Sequence, residues 1–184
     1  VGQIELMNLF NECFDKNKIN ISQILLTLED TEQRRRALNA KRTFENLFDL
    51  GFVPIVNEND STATSEIKYG DNDRLASRVA QISNADCLIL LSDVNGVYSK
   101  DPKLDKKAEL ISEVKIINKS ILKASSFTNN HFAKGGMKTK IMAARIATNS
   151  GCGMVIVDGN KKKIIQKIFN ENEGTYFHPK KKKK

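Results

Sequence analysis

The chain has 184 residues, 40% of them apolar and 28% charged, with a net charge of +8. That size and balance suit one folded domain with its own apolar core. The longest apolar run, Cys87-Leu88-Ile89-Leu90-Leu91, is far short of the ~20 residues that a membrane-spanning helix needs.

Five of the positive charges are the terminal run Lys180 to Lys184. No aromatic residues interleave with them, as a single-strand nucleic-acid binder requires. Residues 179–184 are therefore expected to be a disordered, solvated tail, with neither nucleic acid nor membrane as partner. Cys13, Cys87 and Cys152 are far apart, odd in number and set among apolar residues. They read as reduced core residues of a cytoplasmic protein, not as a disulfide frame. His131 and His178 have no partner at metal-ligand spacing, so no protein-held metal is expected. These residues show no basic-then-apolar run with a small-residue cleavage site, so no secretory signal is expected. Residue 1 is Val and already reads as the middle of a helix, so truncation at the N-terminus, or an unusual start codon, is expected.

Leu6, Leu9, Phe10, Cys13 and Phe14 recur at helical spacing, which predicts an amphipathic helix over 2–16. Residues 19–27 alternate Ile and Leu with polar residues and read as a strand. One long helix is predicted over 31–50, with Ala37, Leu38, Phe44, Leu47 and Leu50 on or near one face and Gly51 at its end. A short strand over 52–56 leads into a polar stretch, 57–73, and a helix to about residue 83. Residues 86–91 are a nearly continuous apolar strand. Asn95-Gly96 signals a turn, with Val97-Tyr98 starting a small hairpin. A weak helix over 116–124, a polar loop over 125–136, a helix over 138–150, a strand over 154–157, a helix over 161–169 and a strand over 174–177 complete the chain. Strands and helices alternate, and the strands are apolar enough to be covered on both faces. The fold class is α/β, with a mainly parallel sheet between two helical layers.

Ligands of such sheets sit beyond the C-terminal strand ends, which directs attention to the polar loops. Asn57-Glu58-Asn59-Asp60 follows a strand and offers several acceptors for an amino group; it equally suits an ordinary Asn/Asp turn. Lys68-Tyr69-Gly70-Asp71-Asn72-Asp73 precedes a helix. Asp71 is placed to cap it, and Asn72 and Asp73 lie at the end that favours anions. Lys134-Gly135-Gly136-Met137-Lys138-Thr139-Lys140 joins paired glycines to a helix start. Its backbone amides can approach phosphate oxygens, and Lys140 can neutralise charge on a transferring phosphoryl group. A plain loop-to-helix turn with surface lysines fits that segment as well, and its spacing is not that of a Walker A loop. Ser92 and Asp93 end the apolar strand, where a polar pair suits a base or ribose, or simply a strand-terminating turn.

Together these segments resemble the amino acid kinase family, in particular its branch acting on glutamate. The carrying residues are Pro54-Ile55-Val56-Asn57-Glu58-Asn59-Asp60, Glu66-Ile67-Lys68-Tyr69-Gly70-Asp71-Asn72-Asp73, Leu90-Leu91-Ser92-Asp93-Val94-Asn95-Gly96-Val97-Tyr98 with Asp101-Pro102, and Gly135-Gly136-Met137-Lys138-Thr139-Lys140. Gly174-Thr175-Tyr176-Phe177 resembles the end of the kinase domain, which would then span 1–178. The resemblance implies a three-layer αβα sandwich lacking its first strands. It implies transfer of the ATP γ-phosphoryl group to the γ-carboxylate of glutamate, the first step towards proline. Asp60 and Asn72 would bind glutamate, and Ser92 and Asp93 the nucleotide. The run Lys134, Gly135, Gly136, Met137, Lys138, Thr139 and Lys140 would bind ATP phosphates. Lys140 would be catalytic, Asp73 would orient the catalytic lysines, and Mg²⁺ would enter with ATP. Proline feedback inhibition and a homo-oligomer are also implied.

Two departures from the family pattern stand out. The Lys-x-Gly-Ser and Ser-Ser-Gly loops are absent from these 184 residues, and losing one charge-stabilising contact typically costs ~10²–10³ in rate. Ala133-Lys134 stands where Gly-Thr is usual. A catalytically inactive remnant of a split or decayed gene is therefore the alternative. A family kinase acting on acetylglutamate, aspartate or uridylate is disfavoured by Asn57-Glu58-Asn59-Asp60.

Overall fold

The computed structural model of the chain describes residues 2–59, 71–102, 104–124 and 136–180. They fall into two compact units, residues 1–66 and 67–184.

The first unit carries helix α1 (Gly2–Asp15), strand β1 (Ile21–Leu26), helices α2 (Leu28–Glu32) and α3 (Arg34–Asp49), and strand β2 (Val53–Glu58). β1 and β2 pair in parallel, from Ile21 opposite Val53 to Leu26 opposite Glu58. This pairing carries β2 two residues beyond the predicted strand, so Asn57 and Glu58 belong to the strand rather than to the loop.

The single helix predicted over 31–50 is two helices. Thr27 caps α2 through a reciprocal box: its hydroxyl accepts from the Asp30 amide at 3.2 Å, and the Asp30 carboxylate accepts from the Thr27 amide at 2.8 Å. Gln33, in extended conformation, ends α2 and opens α3. No Gly or Pro marks that break. Phe44 is the buried anchor of α3, whereas Leu38 and Leu50 are exposed. α1 forms as its periodicity predicts, yet none of its residues is buried. Periodicity reports a capacity for burial, not a partner.

The second unit contains α4 (Asp71–Ile82), β3 (Cys87–Ser92), β4 (Glu113–Val114), α5 (Lys119–Ala124), α6 (Met137–Asn149), β5 (Gly153–Asp158), α7 (Ile164–Glu171) and β6 (Thr175–Phe177). Its sheet runs β3-β5-β6-β4. β3/β5 and β4/β6 are parallel, and β5/β6 is antiparallel. On one face, Ile141, Ala143, Ala144 and Ala147 of α6 and Ala80 of α4 pack with Leu90, Met154, Ile156 and Phe177. On the other, Val155 and Val157 meet Ile164 and Ile168 of α7. The unit is therefore a helix–sheet–helix sandwich with a mainly parallel sheet. The three alanines of α6 are fully buried, and their small side chains let the helix backbone lie close to its neighbours.

Val97 and Tyr98 do start an antiparallel pairing, but with a distant partner. Tyr98 bridges Leu110, and the Ile111 amide donates to the Val97 carbonyl at 2.8 Å. Asn95-Gly96 is thus not the tip of a tight hairpin. Gly96 has φ +139°, and a Cβ there would lie 2.3 Å from Thr175 Oγ1. Glycine is needed for this close approach. Thr175 is fully buried; its hydroxyl accepts from the Val97 amide at 2.8 Å and donates to the Ile111 carbonyl at 2.7 Å.

Only Cys152 is a core cysteine; Cys13 and Cys87 are exposed. Cys13 lies on the helix that buries nothing, and Cys87 opens the strand that ends the four-stranded sheet. An apolar sequence context did not distinguish these positions. The described chain reaches Lys180, whose amide donates to the Thr148 carbonyl at 2.9 Å.

Candidate active site

The densest group of expected site residues lies where α4 and α6 begin. The Lys140 ammonium is 3.2 Å from Asp73 Oδ2, and the Thr139 hydroxyl lies 2.9 Å from the same oxygen. Both partners of the ion pair are largely withdrawn from solvent, at 12% and 15% side-chain exposure. Asp73 is the third residue of its helix, and Thr139 and Lys140 are the third and fourth of theirs. Side chains at such positions lean towards the helix N-terminus, which brings residues 66 and 67 positions apart together. The carboxylate holds the lysine at a helix end rather than leaving it free to swing.

Gly136 is the N-cap of α6 and supplies no side-chain cap. Among the described residues, a Cβ at Gly136 would meet nothing within 4 Å. First-turn amides, a helix dipole and a lysine are groups that can hold an anion, and α6 brings all three together at its start. Lys138 is exposed, whereas Met137 is buried in the core. Met137 anchors the turn, and only its backbone can serve a phosphate. Asn72 is exposed in the first turn of α4. α4 starts at Asp71, so that residue opens the first turn instead of preceding it. Asp60, Lys134 and Gly135 lie outside the described residues.

Ser92 and Asp93 stand at the C-terminal end of β3. The Ser92 hydroxyl donates to Asp93 Oδ1 at 3.0 Å. Ser92 pairs with Asp158, the last residue of β5, and its carbonyl accepts from the Gly159 amide at 2.8 Å. Among the described residues, no hydrogen bond joins this pair to Asp73 or Lys140.

One group beside the strand ends had no signal in the sequence. Lys161, just after β5, forms an ion pair with Glu173, just before β6. The Lys161 ammonium, and after it the Asn95 side chain, hold the Glu173 carboxyl below the usual range. Asn95 Oδ1 is buried without a hydrogen-bond partner among the described residues. Twelve residues separate the ion-paired partners, and only the strand order brings them together.

Comparison with known proteins gives this arrangement a family. The chain is 68% identical over 180 residues to a glutamate 5-kinase of Pelagibacter ubique (strain HTCC1062), covering 98% of this chain and 49% of that protein. It is 46% identical over 183 residues to a glutamate 5-kinase of Clostridium acetobutylicum, covering 99% of this chain and 68% of that protein. The chain spans about half the length of most such relatives, including one from Rhizobium etli at 46% of its length. Among solved structures, UMP kinase from Ureaplasma parvum aligns with 92% of this chain and 65% of its own, at a TM-score of 0.62 and 12% identity. E. coli aspartokinase III aligns with 95% of this chain and 38% of its own, at a TM-score of 0.59 and 18% identity. Identities this low bear on the fold alone. Residues 1–158 match the amino acid kinase family throughout, and with that match and the close relatives, the chain belongs to the amino acid kinase family.

Proposed function

We propose that this chain carries the nucleotide-facing and glutamate-facing parts of a glutamate 5-kinase, which makes γ-glutamyl phosphate on the way to proline. The observation that carries the reading is Lys140 held by Asp73 at the start of α6. A γ-carboxylate oxygen of glutamate attacks the γ-phosphorus of ATP. The bond from that phosphorus to the β,γ-bridging oxygen breaks, and ADP leaves. Negative charge on the transferring phosphoryl oxygens is met by the Lys140 ammonium and the first-turn amides of α6. Asp73 positions Lys140 through Oδ2, the oxygen that Thr139 also faces. Mg²⁺, bound with ATP, supplies charge neutralisation along the phosphates. Gly136 and its neighbours from Lys134 to Lys140 cradle those phosphates, Ser92 and Asp93 hold the base or ribose, and Asp60 and Asn72 hold glutamate. Residues 1–178 act as one kinase domain in this reading. It further includes a cytoplasmic homo-oligomer inhibited by proline.

Titration calorimetry with ATP and glutamate, together with γ-glutamyl hydroxamate formation from glutamate, ATP and hydroxylamine, tests the proposal. Lys140→Ala should weaken ATP binding and lower any hydroxamate rate by about 10²–10³. Asp60→Ala should weaken glutamate binding and spare ATP. Unchanged ATP affinity in Lys140→Ala refutes the reading. Intact binding of both ligands without hydroxamate favours the inactive remnant instead.

A further inference from the structure

Thr139 stands one residue before Lys140 and reaches the same carboxylate. Its hydroxyl is 2.9 Å from Asp73 Oδ2, and the Lys140 ammonium is 3.2 Å from that oxygen. The hydroxyl also lies 2.8 Å from the Gly136 carbonyl. A hydroxyl carries one proton, so these two oxygens compete for it. The Gly136 carbonyl already accepts from the Thr139 amide at 3.0 Å. A carboxylate is the stronger acceptor, because a hydrogen bond to an ionised group is roughly twice as strong as one between neutral groups. The proton therefore goes to Asp73.

The two donors on Asp73 differ in stiffness. Lysine carries its ammonium on a flexible four-carbon stem, so it follows a carboxylate more readily than it fixes one. Threonine is short and β-branched, with few χ1 states in a helix. The backbones beneath both partners are anchored: Met137 and Ile141 of α6 are buried, and so is Leu75 of α4. A stiff donor on one held helix thus meets a carboxylate on another, and the long side chain of Lys140 closes on the same oxygen.

We infer that Thr139 is a positioning residue: its hydroxyl sets the rotamer of Asp73, and Asp73 in turn sets where the Lys140 ammonium stands. Its side chain is then committed to Asp73 and not to a phosphate. The consequence for phosphoryl transfer rests on the kinase reading, whereas the order of control among the three side chains does not. The test therefore has one arm without nucleotide and one with it.

In the first arm, three-bond NMR couplings to the Asp73 carboxyl carbon are measured in the 184-residue chain without ligand. They should report one rotamer in the wild type, in Thr139→Ser, which keeps the hydroxyl, and in Lys140→Ala. They should average in Thr139→Val, which keeps the shape and loses the hydroxyl. Thermal melts show whether each variant is folded, and Lys140→Ala decides the matter if Thr139→Val is not. The inference is overturned if Asp73 keeps its rotamer in Thr139→Val, because the hydroxyl then serves Gly136 alone. It is equally overturned if Asp73 averages in Lys140→Ala or in the wild type. In the second arm, ATP is titrated calorimetrically. Thr139→Val should weaken ATP binding about tenfold, Thr139→Ser should leave it within about twofold, and in an Asp73→Ala background Thr139→Val should change nothing further. An equal loss in both backgrounds overturns the inference, because the hydroxyl then touches the nucleotide itself. A wild type that binds no ATP refutes the kinase reading, while the couplings still decide whether Thr139 holds Asp73.

Discussion

Replacing Thr175 by Val removes one oxygen from a fully buried side chain while keeping its shape. The lost hydroxyl accepts from the Val97 amide at 2.8 Å and donates to the Ile111 carbonyl at 2.7 Å. Val97 is itself fully buried, so water cannot replace the acceptor at its amide without opening the structure. Each stranded backbone group costs about 1–3 kcal/mol; the Ile111 carbonyl is only partly buried and falls at the low end, so together they predict a loss of about 2–4 kcal/mol. Valine leaves no cavity, so no packing term adds to this. With a urea slope of about 2 kcal/mol/M, the midpoint should fall by about 1–2 M. Thr175→Ser is the control. It keeps both hydrogen bonds and loses one methyl, for about 1 kcal/mol. The order wild type, Ser, Val is therefore expected in urea unfolding, with faster hydrogen exchange at the Val97 amide in the Val variant alone. A Val variant as stable as the Ser variant refutes the reasoning. Because Thr175 fixes the segment leaving Ser92 and Asp93, the Val variant should also bind ATP more weakly than the Ser variant.

Two further outcomes follow from the chemistry of single groups. Lys161 and, after it, Asn95 hold the Glu173 carboxyl below the usual range, so the pair stabilises the fold above the ordinary carboxylate range. That contribution is lost as pH falls through the depressed folded value. The gap in urea midpoint between wild type and Glu173→Gln should be full at neutral pH and disappear in strong acid; a gap that ignores pH contradicts the assignment. For the thiols, burial pushes Cys152 up to about 11, and its residue is 1% exposed. Ellman's reagent should modify Cys13 and Cys87 in the native protein and reach Cys152 only on denaturation. Protection of Cys13 or Cys87 would contradict the exposure described here.

Local signals were enough to read much of this protein. The continuous apolar run of residues 86–91 and the helix-forming stretch 138–150 are properties of the chain itself, and the strand and helix formed there. The glycine-led start of α6 and the acidic start of α4 were legible because helix-end chemistry depends on a few adjacent residues. So was the family, because its loops are contiguous.

What local signals could not supply was anything that depends on a distant partner. β2 runs on through Asn57 and Glu58 because β1 offers a parallel ladder to pair with. The long helix is split at Gln33, a position that no breaker residue marks. Gly96 looked like a hairpin residue and instead makes room for Thr175, 79 positions away. The same limit applied to the cysteines, whose burial depends on what lies opposite. Lys140 and Asp73 were each named as site residues from sequence. Their contact at 3.2 Å exists only because α4 and α6 lie side by side. Residue types and short-range spacing are set by the chain. Which charges meet across 67 residues is decided by how helices pack on a sheet.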